Sequence, residues 1–352
     1  VTGVAPRLSA RRMAVWRPSA AALFVLACLV QPPLSAGIYT PPTKYLIVSN
    51  ARNGTIGYVK VPEHGNFSKP RLLIDTGLGH PQGIAVDQKR QLLLVADSAL
   101  RKVVSYGLSL DRDGNLQVDE QTPLADDVES RWVAVDGPGN VYFSDEMGNR
   151  LFRVSARQVL DGDSSGAEPV FPSGSAVASS VSAPGGIAVD NFYVYWANKL
   201  NGASTGTIVR SLDVAPNMTV DDSVKEAANA LSFNLPKAYG VCIAIDNVYF
   251  TAPDRSVYAV KTGGGSPTMI ADSLSSPRGC TWDGDSTVYV ADRSAHGVFA
   301  FPGPMVSLAQ ADARKVVDFP DAFGVAVFSR GARGWAAPLW LLAVALSVTA
   351  LS

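Results

Sequence analysis

The sequence predicts an all-β fold in which one four-stranded unit recurs around a ring. Three observations predict it. A first phrase, a small or turn residue, a short apolar strand and often Asp, recurs through the chain. Its copies are Gly83-Ile-Ala-Val-Asp87, Trp132-Val-Ala-Val-Asp136, Gly186-Ile-Ala-Val-Asp190, Gly240-Val-Cys-Ile243, Gly279-Cys-Thr-Trp-Asp283 and Gly324-Val-Ala-Val-Phe328. A second phrase follows each of the first five: Leu92–Asp97, Val141–Asp145, Val194–Asn198, Val248–Ala252 and Val288–Asp292. Finally, no long segment of 3.6-residue period competes. Only Val220–Leu231 is patterned as a helix, and it falls in an insertion.

The first 36 residues are excluded from the fold. From Met13, one Arg precedes the uncharged apolar run Ala20–Val30, and small residues follow at Leu34-Ser35-Ala36. Eleven apolar residues suit a signal-peptide core better than a membrane span. Cleavage is expected after Ala36, and residues 1–12 precede the first Met. A propeller body is expected over 37–329. Its first strands are Tyr45–Asn50, Thr55–Lys60 and Arg71–Asp75.

Five repeat units follow. Third strands come at Lys102–Tyr106, Arg150–Val154, Thr207–Arg210, Ser256–Val260 and Gly297–Phe301, with fourth strands at Pro169–Phe171, Thr268–Ala271 and Lys315–Asp318. Gly, Asp, Asn and Ser turns separate them. Asp87, Asp136, Asp190, Asp246 and Asp283 are spaced by 49, 54, 56 and 37 residues, so the variation falls in the connections. A sixth unit has only its first strand at the C-terminal end, and the three N-terminal strands complete it. Four-stranded units in a row make a β-propeller. The count gives a six-bladed β-propeller closed by N- and C-terminal strands sharing one blade, which leaves no exposed edge in the ring. The Ser-, Gly- and Ala-rich stretch 161–185 is expected to be a flexible insert.

A hydrophobic tail occupies 330–352, with no charge from Trp335 to Ser352 and small residues before it. It reads as a GPI-attachment signal or a retained membrane helix. Thirty Lys and Arg balance 31 Asp and Glu. Residues 1–36 hold four of those Arg and no acid, and 335–352 hold no charge, so residues 37–334 carry −5. No basic run interrupts it, and nucleic acid is not expected as a partner. Sequons at Asn53, Asn66 and Asn217 agree with a secretory route. Cys28 leaves with the signal peptide. Cys242 and Cys280 remain, on opposite faces of adjacent inner strands, as a disulfide or as two buried thiols.

The strings Val141-Tyr-Phe-Ser-Asp145…Asn149-Arg150-Leu-Phe-Arg153 and Val194-Tyr-Trp-Ala-Asn198 resemble the YWTD repeats of LDL-receptor-type propellers. Pro81-Gln-Gly-Ile-Ala-Val-Asp87 resembles NHL repeats. Together they cover about 43–328. The resemblance implies the fold and, more weakly, a ligand.

Propellers commonly act at the channel mouth. The residues before each recurring small residue are expected there: Gln82, Arg131, Gly185, Tyr239, Arg278 and Phe323, with His80 and His296 close by. Arg forks and stacking suit an acidic or planar ligand; the plainer reading is a set of turn residues. Gluconolactonase- and paraoxonase-type propellers resemble this layout but place Asn before the first-strand Gly, and this chain has none there. Peptide-amidating lyases use His-bound zinc, and three His in the whole chain, with His64 on the opposite face, do not form such a set. No catalytic residues, metal ligands or cofactor are predicted. Asp97, Asp145, Asp292, Asn50 and Asn198 recur at strand-two ends and read as turn caps. The leading expectation is a secreted or tail-anchored surface protein that binds an extracellular protein or small ligand. The alternative is a metal-dependent hydrolase or lyase of the lactonase or esterase kind, using the central channel.

Overall fold

The computed structural model describes residues 42–330, except 172, 174–177, 179, 200–205, 214–228 and 236. The expected signal peptide, the tail from 331, Cys28 and Asn217 lie outside the described residues. Among the described residues no helix is long and apolar enough to cross a membrane.

The chain begins with β1 (Lys44–Asn50), β2 (Thr55–Lys60) and β3 (Arg71–Ile74). Blade 1 follows as β4 (Pro81–Asp87), β5 (Leu92–Asp97), β6 (Lys102–Leu110), β7 (Leu116–Val118) and β8 (Thr122–Asp126). Both β7 and β8 pair with β6. Blade 2 is β9 (Ser130–Val135), β10 (Val141–Asp145), β11 (Arg150–Val154) and β12 (Glu168–Pro169), with α1 (Ala156–Asp161) between the last two. Blade 3 is β13 (Pro184–Val189), β14 (Tyr193–Asn198), β15 (Gly206–Leu212) and β16 (Asn229–Leu235). Blade 4 is β17 (Val241–Ala244), β18 (Asn247–Thr251), β19 (Val257–Lys261) and β20 (Thr268–Ala271). Blade 5 is β21 (Pro277–Trp282), β22 (Thr287–Asp292), β23 (Gly297–Pro302) and β24 (Arg314–Asp318). Finally β25 (Ala322–Ser329) pairs antiparallel with β1 and completes blade 6 in the order β25-β1-β2-β3. The ring is a six-bladed β-propeller closed by its two ends.

Each sheet is covered on both faces, so its central strands read as continuous apolar runs rather than alternating ones. Side chains of one parity pack backwards and the other parity forwards. Leu93 and Val95 join the blade 6–blade 1 core, whereas Leu94 and Ala96 join the blade 1–blade 2 core. Six such clusters fill the six junctions. Trp196, Tyr142, Tyr195 and Tyr249 are among the largest fully buried side chains.

The recurring Gly is not a turn residue. Gly83, Gly186, Gly279 and Gly324 lie inside the inner strands, and Gly240 directly precedes one. There the inner strands of neighbouring blades touch. A Cβ on Gly83 would stand 2.7 Å from both the Arg131 carbonyl and the Trp132 Cα of the next blade. On Gly240 and Gly324 it would collide with the carbonyl oxygens of Arg278 and Gln82. Those same two oxygens accept hydroxyl hydrogen bonds. Thr251 Oγ1 donates to Arg278 O at 2.6 Å and accepts from the Gly240 amide at 2.9 Å. Ser49 Oγ does likewise with Gln82 O, 2.6 Å, and the Gly324 amide, 2.8 Å.

The strand-two acids cap turns. Asp97 accepts from the amides of Gly79, His80, Ala99 and Leu100 at 2.7–3.1 Å, tying the loop before β4 to its own β5–β6 turn. Asp292 joins Ser276 and Ala295 in the same way, and Asn198 accepts from Ser182 at 2.9 Å. The Cys242 and Cys280 sulfurs are bonded, at 2.06 Å, which links the inner strands of blades 4 and 5.

Two expectations need correction. Asn229–Leu231 extends in β16 rather than coiling, and residues 220–228 of that expected helix lie outside the described residues. Pairing with β15 overrides local pattern there. The stretch 161–185 is not simply a flexible insert. Val170, Phe171 and Val181 pack on the blade 2–blade 3 core, and Phe171 lies 5.5 Å from the Trp196 ring. Gly185 already belongs to β13.

Gly83→Ala should destabilise the fold by about 2 kcal/mol, because backbone rather than a mobile side chain blocks the new methyl group. Denaturant midpoints of the two proteins measure it. Replacing both Cys242 and Cys280 by Ser should cost about 4 kcal/mol, the chain-entropy value for a loop of this length. An unchanged midpoint would show that the ring does not depend on the bond.

Candidate functional site

Strand one of each blade runs away from the face where the blade-to-blade connections arrive, and strand two returns to it. The loops before strand one and the turns after strand two therefore share one end of the ring, the mouth face. His80, Gln82, Arg131, Tyr239, Arg278 and His296 all belong to that end.

The mouth has a floor. Where five blades carry the recurring Gly, blade 2 carries Trp132. Its ring lies 5.4 Å from that of Phe323. Trp132 comes from blade 2 and Phe323 from blade 6, with blade 1 between them, so the contact reaches across the axis. Ala51 shares this cluster and Tyr239 packs against it.

Above the floor stand cations. The Arg278 guanidinium stacks on Tyr239 at 4.5 Å, an attractive cation–π distance. It donates to the Pro277 carbonyl at 3.0 Å. Among the described residues no carboxylate forms an ion pair with it. Burial holds its pKa below the usual guanidinium value. Arg131 bonds Glu129 at 2.8 Å, and its Nε lies 3.3 Å from Glu146, too misaligned to be a hydrogen bond. Lys199 pairs with the same Glu146 oxygen. Burial lowers the Lys199 pKa; pairing with Glu146 opposes that, and the Arg131 and Arg278 charges add to it. Arg293 bonds Asp321 at 2.7 Å.

Gln82 is buried rather than open at the mouth, and its Oε1 has no hydrogen-bond partner among the described residues. His80 is half-buried, with Nδ1 3.2 Å from Ser98 Oγ. Burial lowers its pKa first, and Arg293 and Arg131 press the same way against Asp97 and Asp321. His296 stands farther out on the β22–β23 turn. Its exposed ring accepts the Asp321 amide at 3.3 Å, so it positions Asp321 rather than lining the mouth.

Sequence reasoning missed Glu146, Lys199, Arg293 and Asp321. A signal existed for the first three. Each immediately follows the strand-two acid or amide, at Asp145, Asn198 and Asp292. That position forms a second ring around the mouth, with Ser98 and Ala51 as further members. Among the described residues no three His, Cys, Asp or Glu side chains stand together so as to hold a metal ion.

No protein-family model matches the chain, and no curated protein matches it. Solved structures do. The chain is similar to a structure described as a nidogen/laminin complex, with a TM-score of 0.62 at 15% identity over 81% of this chain and 98% of that one. It is also similar to a gluconolactonase from Xanthomonas campestris, at 0.48 and 13% identity, over 81% and 87%. A virginiamycin B lyase from Staphylococcus aureus gives 0.45 at 15%, over 67% and 69%. At these identities the likeness is one of fold, and the last two scores carry no functional argument.

Because the folded state holds His80 below its ordinary value of 6.5, the unfolded chain takes up that proton first as pH falls. This contribution to stability is present at neutral pH and is lost as pH falls from 6.5 through the lower folded-state value. Melting curves from pH 7.5 to 5 should fall less steeply for His80→Gln than for the wild type.

Proposed function

We propose that the chain is a secreted surface protein, held at a membrane through its apolar tail, whose propeller binds an acidic group of an extracellular partner at the mouth face. One observation carries this reading: Arg278, half-buried on Tyr239, forms no ion pair among the described residues, so the mouth's four cations Arg131, Lys199, Arg278 and Arg293 meet only three acids, Glu129, Glu146 and Asp321. Arg131 and Lys199 divide one Glu146 oxygen between them, and Gln82 Oε1 and Arg131 Nε are buried without hydrogen bonds. A partner's carboxylate laid over Tyr239 would give the Arg278 guanidinium a charge-assisted counter-ion. The Trp132–Phe323 floor makes the mouth a dish suited to a protruding side chain or loop.

Carboxylates free to bind a metal or move a proton, which a channel hydrolase or lyase would use, are not what the mouth presents among the described residues. Glu129, Glu146 and Asp321 are each held by Arg or Lys.

The test is a panel of acidic and neutral peptides and acidic glycans, titrated onto the cell-made protein by calorimetry. Acidic members should bind, weaken with added salt, and lose at least tenfold in affinity in Arg278→Gln, a loss of about 1.4 kcal/mol. Leu72→Ser, on the outer edge of blade 6, should change nothing. Equal binding of neutral members, or indifference to Arg278→Gln, would overturn the reading.

A further inference from the structure

The opposite end of the ring differs in chemistry. We infer that this exit face rests on the lipid surface, so that the cationic mouth points away from the membrane. The inference rests on the reading just proposed, in which the apolar segment Trp335–Ser352 provides attachment.

Two observations point the same way. The first is where the chain leaves. β25 is an inner strand running from the mouth face to the exit face, and it ends at Ser329. Only Arg330 to Gly334 separate it from Trp335. Five residues reach at most about 18 Å even when fully extended. A membrane-held segment that close to the ring's axis draws the exit face, not the mouth, to the headgroups.

The second is a set of apolar tips on that face. Phe192 on the β13–β14 turn is 68% exposed, Ile245 on the β17–β18 turn 64%, Leu160 on α1 66%, and Val306 after β23 93%. They belong to blades 3, 4, 2 and 5. These tips are held in place. Asp190 accepts the amides of both Phe192 and Tyr193 at 2.7 Å. Ile245 stands at φ 57°, a region that β-branched residues avoid. Exposure of the Ile side chain at a turn tip is unfavourable in water, and that cost is relieved where the side chain enters an apolar phase.

The Asn66 sequon lies on the same face at the outer part of blade 6, across the ring from Phe192, so an approach led by blades 2–5 leaves room for a glycan.

The test uses the full chain made in eukaryotic cells, in plasma-membrane vesicles carrying nitroxide-labelled lipids. An environment-sensitive fluorophore is placed at Asn191→Cys, beside Phe192, or at Met147→Cys on the mouth face. Flotation of the vesicles reads attachment, and quenching reads orientation. Quenching at 191 should exceed that at 147 at least fivefold. Phe192→Ser with Ile245→Ser and Val306→Ser should lower that ratio without changing flotation or the melting temperature. Flotation with equal quenching, or with stronger quenching at 147, overturns the orientation and leaves attachment standing. A label at 191 shielded from aqueous quencher yet unreached by the lipid nitroxide would assign the face to a protein and overturn the lipid. Failure to float overturns the attachment reading and this orientation with it.

Discussion

The structure depends on how closely neighbouring inner strands approach one another around the axis. At the recurring Gly, each inner strand lies against the backbone of the next blade, at a distance that leaves no room for a Cβ. A carbonyl brought that close must be satisfied, and in two junctions a strand-two hydroxyl does it. Ser49 and Thr251 each join the amide of their own inner strand to the carbonyl of the next one. Steric and polar requirements therefore meet at one point, and the wedge shape of each blade follows from it. Tight inner contacts and wide outer ones let six sheets close a ring, with an apolar cluster in each gap.

The same geometry separates the ring's two ends. Trp132 occupies the Gly position in blade 2, and its ring meets that of Phe323 from blade 6, below the mouth. Above that floor are Arg, Lys and their few carboxylates; beyond it the channel is lined by the Val and Ile of the inner-strand ends. The chemistry of either face can change without changing the other, because an aromatic layer and the packed inner strands stand between them. Turn-capping acids belong to neither chemistry. Asp97 and Asp292 are fully buried and spend their oxygens on backbone amides, which fixes the loops from which the mouth residues project.

Much of the fold was legible because both faces of every blade are buried. The central strands could only be written as apolar runs, and their recurrence counted the blades. Outer strands carry a weaker signature. The strand expected at Pro169–Phe171 forms only as the exposed pair Glu168–Pro169, while Val170 and Phe171 pack on the blade 2–blade 3 core instead. Asn229–Leu231 follows a helical spacing that pairing with β15 overrules. At the mouth, the inner ring of residues could be named from the phrase that precedes them. Glu146, Lys199 and Arg293 were equally regular in position, one residue beyond the strand-two acid, but only the ring geometry reveals that this position faces the axis. Cys242 and Cys280 could be placed on facing strands by alternation; their bond required the three-dimensional spacing of blades 4 and 5.

Blade 6 is assembled from the two ends of the described chain. Leu46 pairs with Val327, and Ile47 with Ala326. Every other blade can form from a contiguous stretch soon after it is synthesised. β1, by contrast, must keep an unpaired edge until β25 has left the ribosome. Loop closure over so long a separation is slow, and an open strand edge invites pairing with another chain. The five finished blades form an arc whose final event is the docking of β25, which also delivers Phe323 to Trp132. A nascent chain interrupted before residue 322 would therefore be both unclosed and unfloored, a species for chaperones to hold rather than a smaller working protein.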